Sequence, residues 1–502
     1  MHGLIIGGQT AVAHLIDANK MSIRRSAGGH KIATFLRKHD YVVEVLDYFP
    51  AWSLEELQTF TENSFTEDTF FLGISSTFNL NCELLTEYLK WIKLKYPNLT
   101  IFAGSQNSSM LSLDIDWYLY GYGEYGVLQL LKHIKDGTEP IHDNKVVDCN
   151  IHHPSTKMDN LEVIYTPNDF MDKKEILFIE FARGCKFKCA FCSFPHLGVS
   201  EDRTRSADSV YDELLRNYEE HGIEHYMVLD ETFNDRSEKI EKYARAIEKL
   251  PFNPKMLGYI RADLLVNRKR DWDNLISMGF TSHFYGVESF HQPSAKSIGK
   301  GMNVGKLQDG LLEVKEYFKT NANYYRGHIS LIAGLPYETF ETLDETTAWL
   351  KENWSDQSAN LTPLSILDNN NNKYDKISEI DKDYEKFGYV ESPYNPTGGD
   401  GPTLERHPFL YFMHNLWQNN HERVITWKND NMDVYDALMY CYEKFDYKGK
   451  SDIFMNDRFF IDPSISWESF MNEYMTEERQ TAIDIFIENY IDRKLETSRY
   501  SY

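Results

Sequence analysis

The sequence predicts an α/β chain in three parts: an amino-terminal doubly wound module, a partial parallel (β/α)6 barrel, and a mainly helical carboxyl-terminal region. Three observations predict it. Short apolar runs alternate twice along the chain with helix-length amphipathic stretches, the pattern of parallel sheets covered by helices. An interval rich in Gly, Pro, Asp, Asn and His separates the two series. After the polar run Asn369–Asn372 the alternation stops and aromatic residues accumulate.

In the first series, strands are expected at Leu4–Ile6, Val42–Leu46, Phe70–Ile74, Thr100–Ala103 and Trp117–Tyr120, with helices over Ala27–His39 and Leu80–Lys95. In the second of these helices Leu84, Leu85, Leu89, Ile92 and Leu94 recur at roughly helical spacing. This module takes residues 1–136, and residues 137–174, with Gly137, Pro140, Pro154 and Pro167, read as a linker. The barrel is expected over 175–368, with strands at Ile176–Phe181, Tyr226–Leu229, Leu257–Ile260, His283–Val287, Ile329–Ala333 and Leu361–Leu367. Its helices are expected near Asp208–Glu220, Ser237–Leu250, Arg270–Met278, Lys306–Phe318 and Thr339–Asn353. Chemistry in such a barrel sits at the strand carboxyl ends. Residues 369–502 form the helical, aromatic-rich part, read as a cap over the substrate site.

Composition bounds the function. A chain of 502 residues exceeds one ordinary core and fits about three domains. With 42% hydrophobic and 26% charged residues it has the balance of a globular protein. The net charge of −24, from 53 basic and 77 acidic residues, argues against sequence-independent nucleic-acid binding. Met1-His2-Gly3 opens onto an apolar run without a basic leader, and the stretch from Gly3 to Ile16 is too short to span a bilayer. A cytoplasmic chain with no membrane span is expected.

Six cysteines do not make a disulfide scaffold. Cys82, Cys149 and Cys441 stand alone, as buried thiols do, whereas Cys185, Cys189 and Cys192 fall within eight residues. They form Cys-x3-Cys-x2-Cys, with the aromatic Phe191 before the last cysteine. Three thiolates on one loop can wrap a cubane cluster, since thiolate is the soft ligand such iron prefers. Three ligands for four irons leave one iron open to chelate a small molecule. A structural zinc site would need a fourth ligand; no Cys or His stands at a usual spacing, and His196 lies beyond Pro195.

These residues resemble the signature of the radical S-adenosylmethionine (radical SAM) superfamily, over roughly residues 170–370. Further matches are Arg203-Thr-Arg205-Ser206, Leu229-Asp230-Glu231, Tyr259-Ile-Arg261-Ala-Asp263, Gly286-Val-Glu288-Ser289 and Gly334-Leu335-Pro336-Tyr-Glu338, the last four at successive strand ends. The resemblance implies that Cys185, Cys189 and Cys192 bind a [4Fe-4S] cluster, and that S-adenosylmethionine is contacted by Phe191, Asp230, Arg261 and Glu288. It also implies the reaction: one electron from the reduced cluster cleaves the sulfonium to methionine and a 5′-deoxyadenosyl radical, which abstracts a substrate hydrogen. The partners implied are a small-molecule or peptide substrate and an electron donor such as flavodoxin or ferredoxin.

Residues 1–136 resemble, more weakly, the Rossmann-like cobalamin-binding-type domain that precedes the barrel in one branch of that superfamily. The matches are Gly29–Leu36, Tyr41–Asp47, Leu72–Ser76, Phe102–Gly104 and Gly121-Tyr-Gly123-Glu124. They imply cobalamin contacts at Ser75, Gly104, Gly121, Gly123 and Glu124, and methylation of an unactivated carbon. The Asp-x-His-x-x-Gly element of many cobalamin proteins is absent, Ser105 stands where a second glycine is common, and the interval from Gly8 to Gly28 is long. A module that binds no cobalamin, with the radical used for cyclisation, oxidation or rearrangement, therefore stays open, as does a non-catalytic iron–sulfur redox or sensory protein. Gly121-Tyr-Gly-Glu-Tyr-Gly126 also satisfies a dinucleotide pattern, but follows the fifth strand rather than the first.

Overall fold

The computed structural model describes residues 2–7, 25–75, 82–105, 113–138, 142–151, 157–173, 175–193, 203–364, 366, 378–391, 427–428, 432, 436–437, 440–441 and 477–498. In chain order the first sheet contains β1 (His2–Gly7), β2 (Val42–Leu46), β3 (Thr69–Ser75), β4 (Thr100–Ser105), β5 (Trp117–Tyr120), β6 (His142–Asp143) and β7 (Val146–Asp148). Their order across the sheet is β2-β1-β3-β4-β5-β7-β6, parallel throughout except for the β6–β7 pair. Strands buried on both faces read as continuous apolar runs, and β1 is buried along its whole length. Apolar clusters cover both faces, one built on Leu4, Leu72 and Ile101 and the other on Ile5, Phe71 and Phe102.

The helices are α1 (Ala27–Arg37), α2 (Leu54–Ser64), α3 (Cys82–Lys95) and α4 (Gly123–Asp136). Ser26 caps α1 by accepting from the Gly29 N–H at 3.1 Å. Gly137, with φ +70°, closes α4 in the left-handed conformation glycine tolerates. The stretch expected to be a linker differs from that reading. Val146–Asp148 pairs in parallel with β5, so residues 142–148 extend the first sheet by two strands.

The second sheet holds six parallel strands in sequence order: β8 (Ile176–Ile179), then β11 (His225–Val228), β12 (Lys255–Ile260), β13 (Phe280–Glu288), β14 (Arg326–Ala333) and β15 (Ser358–Pro363). Between β8 and β11 lies a two-stranded ribbon, β9 (Ala182–Arg183) and β10 (Arg203–Thr204). Helices Ala207–His221, Ser237–Ile247, Trp272–Ser277, Val304–Asn321 and Phe340–Asn353 cover the outside. This is an open (β/α)6 barrel whose apolar core cluster runs from Val163 to Cys441.

Of the carboxyl-terminal region, Tyr411, Phe412, Trp417, Tyr435, Tyr442 and Phe445 lie outside the described residues, as do Ser76, Pro195 and His196. Met432, Ala437, Tyr440 and Cys441 are buried in the barrel's apolar cluster. The last described helix is Glu477–Ser498. It packs on α2, buries Tyr490 and Ile491 against the first sheet's cluster, and its Tyr490 hydroxyl accepts from the Asp47 N–H at 3.0 Å.

Candidate active site

The three clustered cysteines leave the carboxyl end of β8 on one loop. Each is half-buried, whereas Cys149 and Cys441 are fully buried. The loop is held at its middle. The Ala190 N–H donates to Ile298 O at 3.1 Å, and the Ile380 N–H donates to Ala190 O at 3.0 Å. It enters through Gly184, whose φ of +95° is one that side chains rarely adopt.

Two side chains from the next strand ends face the sulfurs. Thr232 Oγ1 lies 3.3 Å from Cys185 Sγ. Arg261 Nη1 donates to Cys189 Sγ at 3.5 Å, and its guanidinium stacks 3.9 Å from the centre of the Phe187 ring. Burial disfavours the Arg261 charge, but Asp263 and then the Cys189 thiol outweigh it and raise its pKa. Among the described residues no three His, Cys, Asp or Glu side chains gather about one point suited to a single ion. Three thiols on one loop, none in a disulfide, supply one soft donor to each of three irons, so the donor set fits a cubane cluster.

Glu288 closes the carboxyl end of β13. It is non-glycine yet has φ +71°, a strained conformation that clusters at functional sites. Burial raises its pKa against the pull of Lys300 and Arg261; Lys300 Nζ is 3.4 Å from its carboxylate and donates to Gly286 O at 2.8 Å. Arg261 and Glu288 thus stand at the ends of neighbouring strands, within electrostatic reach of one another. Phe191 is half-buried and packs against the barrel core.

Asp230 holds the backbone through one oxygen, while its Oδ2 is buried without a hydrogen-bond partner among the described residues. It is 1% exposed, and its Oδ1 accepts from the Phe181 N–H at 2.8 Å and the Ala182 N–H at 3.0 Å. Burial lifts its pKa to about 7. It fixes the chain entering the cysteine loop. Glu338 serves the turn after β14 in the same way, accepting from the Gly334 N–H at 2.7 Å and the Leu335 N–H at 3.3 Å, with its pKa lifted to about 8 by burial.

In the amino-terminal module, Gly7, Ser75 and Gly104 stand in register at the ends of β1, β3 and β4. A Cβ added at Gly104 would meet nothing closer than Leu119 at 3.9 Å. Gly121 has φ +92°, and a Cβ there would fall 2.3 Å from Asn150 Oδ1; one at Gly123 would fall 3.2 Å from Ile32. Those two glycines admit neighbouring side chains. Glu124 corrects the expectation most clearly. It is buried, and both of its oxygens are taken by Arg183, Nη1 at 3.0 Å and Nη2 at 2.5 Å, so neither faces a ligand. Sequence reasoning missed Arg183, Glu180, Tyr122 and Glu231 as a group. Glu180 and Arg183 stand just before the cysteine motif, whereas Tyr122 and Glu231 follow strands of the two separate sheets.

A six-stranded parallel partial barrel carries three cysteine thiols, none in a disulfide, on the loop after its first strand, the donor set an iron–sulfur enzyme uses. Residues 179–350 match the model of the radical SAM superfamily. The chain is 24% identical over 284 residues to the anaerobic magnesium-protoporphyrin IX monomethyl ester cyclase of Rubrivivax gelatinosus, across 53% of this chain and 48% of that one. It is 24% identical over 249 residues to the hopanoid C-3 methylase of Methylococcus capsulatus, across 46% and 48%. The chain thus spans about half the length of the curated relatives it matches. The solved structure of the radical SAM methyltransferase TsrM from Kitasatospora setae, with cobalamin and a [4Fe-4S] cluster bound, shares the fold at a TM-score of 0.59, with 15% identity over 80% of this chain and 81% of that one. Residues 179–350 thus carry a radical SAM domain, which implies a [4Fe-4S] cluster and S-adenosylmethionine. No described helix is long and apolar enough to cross a membrane.

Proposed function

We propose that this chain is a cobalamin-dependent radical SAM methyltransferase acting on an unactivated carbon of a small-molecule or peptide substrate. The observation that carries the reading is the contact between the first sheet's carboxyl edge and the cysteine loop: Glu124, at the start of α4, pairs with Arg183, two residues before Cys185. A flat ligand on that edge would lie beside the cluster. The small residues Ser75 and Gly104, in register there, let such a ligand approach the backbone, and the fold shared with TsrM supports the same reading.

In this proposal Cys185, Cys189 and Cys192 hold the cluster, which when bound supplies the electron that cleaves S-adenosylmethionine. Arg261 pairs with the carboxylate of that molecule while its guanidinium remains against Cys189. Glu288, held beside Lys300, accepts from its ribose hydroxyls or amino group. The loop tethers at Ala190 keep this geometry fixed, and positioning is a large share of what a protein contributes to cofactor chemistry. A flavodoxin- or ferredoxin-type donor delivers the electron.

The test is anaerobic reconstitution with iron and sulfide, with and without cobalamin. Retained cobalamin and transfer of a labelled methyl group from S-adenosylmethionine support the proposal. 5′-Deoxyadenosine formed equally without cobalamin, with a substrate transformed but not methylated, replaces it by a cobalamin-independent rearrangement, oxidation or cyclisation.

A further inference from the structure

The amino-terminal module and the cysteine loop are joined by a clamp that the expected site residues do not explain. The Tyr122 hydroxyl, just before α4, donates to Glu231 Oε1 at 2.7 Å, and the other Glu231 oxygen accepts from the Gly184 N–H at 3.0 Å. The Arg183 guanidinium lies 4.2 Å from the centre of the Tyr122 ring, pairs with Glu124, and donates to Glu180 Oε1 at 2.7 Å. Lys31 Nζ, from α1, donates to Glu180 Oε2 at 2.5 Å. Arg183, Glu124, Glu180 and Lys31 are all buried.

We infer that this clamp positions the cysteine loop, with Tyr122, Glu231, Glu124 and Arg183 holding its Cys185 end in the geometry that admits the cluster and S-adenosylmethionine. The amino-terminal module is thereby part of the radical-generating site as well as a platform beside it.

The argument is local and geometric. The residues gripped are Arg183 and Gly184, the two immediately before the first cysteine. Gly184 holds a left-handed conformation, φ +95°, and its N–H points to Glu231. Glu231 is anchored from its far side by a hydroxyl that belongs to the other module. The buried charges in the Arg183 group pair off, Arg183 and Lys31 against Glu124 and Glu180. Such a group holds direction without adding net charge, and bidentate arginine–carboxylate pairing fixes orientation as well as distance. The residues named are positioning residues, acting on the cluster through the backbone at Gly184.

The inference rests on the radical SAM reading and not on the methylation proposal. The test uses the full chain reconstituted anaerobically, with S-adenosylmethionine titrated against the electron paramagnetic resonance spectrum of the reduced cluster. Tyr122→Phe removes the hydroxyl and keeps the ring beneath Arg183. Glu231→Gln keeps the shape and loses one acceptor. Tyr490→Phe, the control, removes a buried hydroxyl that serves Asp47 on another face of the same module.

For Tyr122→Phe and Glu231→Gln the expected result is iron loading close to wild type, shifted g-values and half-saturation by S-adenosylmethionine about tenfold higher. An apparent dissociation constant rises as the competent fraction of loops falls. Tyr490→Phe should match wild type in both readouts. Wild-type spectra and titrations from a folded Tyr122→Phe protein would overturn the inference, as would an equal effect from the Tyr490→Phe control. A wild-type chain that shows no cluster signal overturns the underlying radical SAM reading and the inference with it. Failure of methyl transfer alone overturns only the proposed reaction.

Discussion

Asp230→Asn tests whether the buried carboxylate under the cysteine loop is an element of structure. Asp230 is 1% exposed, and burial lifts its pKa from 3.8 to about 7 despite Lys239 and the two backbone donors, Ala182 and Phe181. Between those values the folded chain keeps a proton that the unfolded chain has released. Stability from this group is therefore fully present below pH 3.8 and is lost as pH rises through about 7. The slope is about 1.4 kcal/mol per pH unit, and the whole effect is roughly 4 kcal/mol. Asparagine retains an oxygen to accept from Phe181 and Ala182 but carries no charge. Asp230→Asn should lack this slope, gaining on wild type as pH rises to 8. Asp230→Ala should be destabilised at every pH, because each buried N–H left without an acceptor costs about 1–3 kcal/mol. Thermal midpoints of the cluster-free chain from pH 5 to pH 8 measure both. Parallel wild-type and Asp230→Asn curves would refute the reasoning, since the carboxyl would then titrate alike folded and unfolded.

Glu338→Ala strips the acceptor from the buried Gly334 and Leu335 N–H groups and should destabilise the chain by about 2–5 kcal/mol, read as a lower denaturant midpoint. Gly279→Ala places a Cβ 1.7 Å from Pro254 O in a backbone at φ +75°; the cost should reach about 3 kcal/mol, and a thermal midpoint equal to wild type would contradict the geometry. Arg261→Lys keeps the charge but loses the planar stack on Phe187 and the fork toward Cys189. Half-saturation by S-adenosylmethionine should rise about tenfold, measured by the same spectroscopic titration.

Much of this architecture was legible because parallel strands announce themselves. Val42–Leu46 and Trp117–Tyr120 fall where their apolar runs predict, and all six barrel strands overlap the expected ones. The pairing of β6 with β7 was not legible. His142–Asp143 is a polar two-residue strand, and β7 belongs to the sheet only through its long-range register with β5.

The site divides the same way. Cysteine spacing is a local signal, so the loop was readable, and the positions of Arg261 and Glu288 at neighbouring strand ends followed from the strand pattern. The partners of a buried carboxylate are not local. Glu124 and Asp230 stand at strand ends, where acidic residues often meet ligands, but the protein groups they bind are distant in sequence: Arg183 lies 59 residues from Glu124, and the Phe181 N–H lies 49 from Asp230. No periodicity encodes such pairs.

The most direct measurement replaces Cys185, Cys189 and Cys192 one at a time by alanine, then quantifies iron, sulfide and 5′-deoxyadenosine after anaerobic reconstitution and reduction. Each variant should lose the [4Fe-4S] signal and the nucleoside product while keeping a folded chain. Iron content and 5′-deoxyadenosine at wild-type levels in any one of the three would contradict the account.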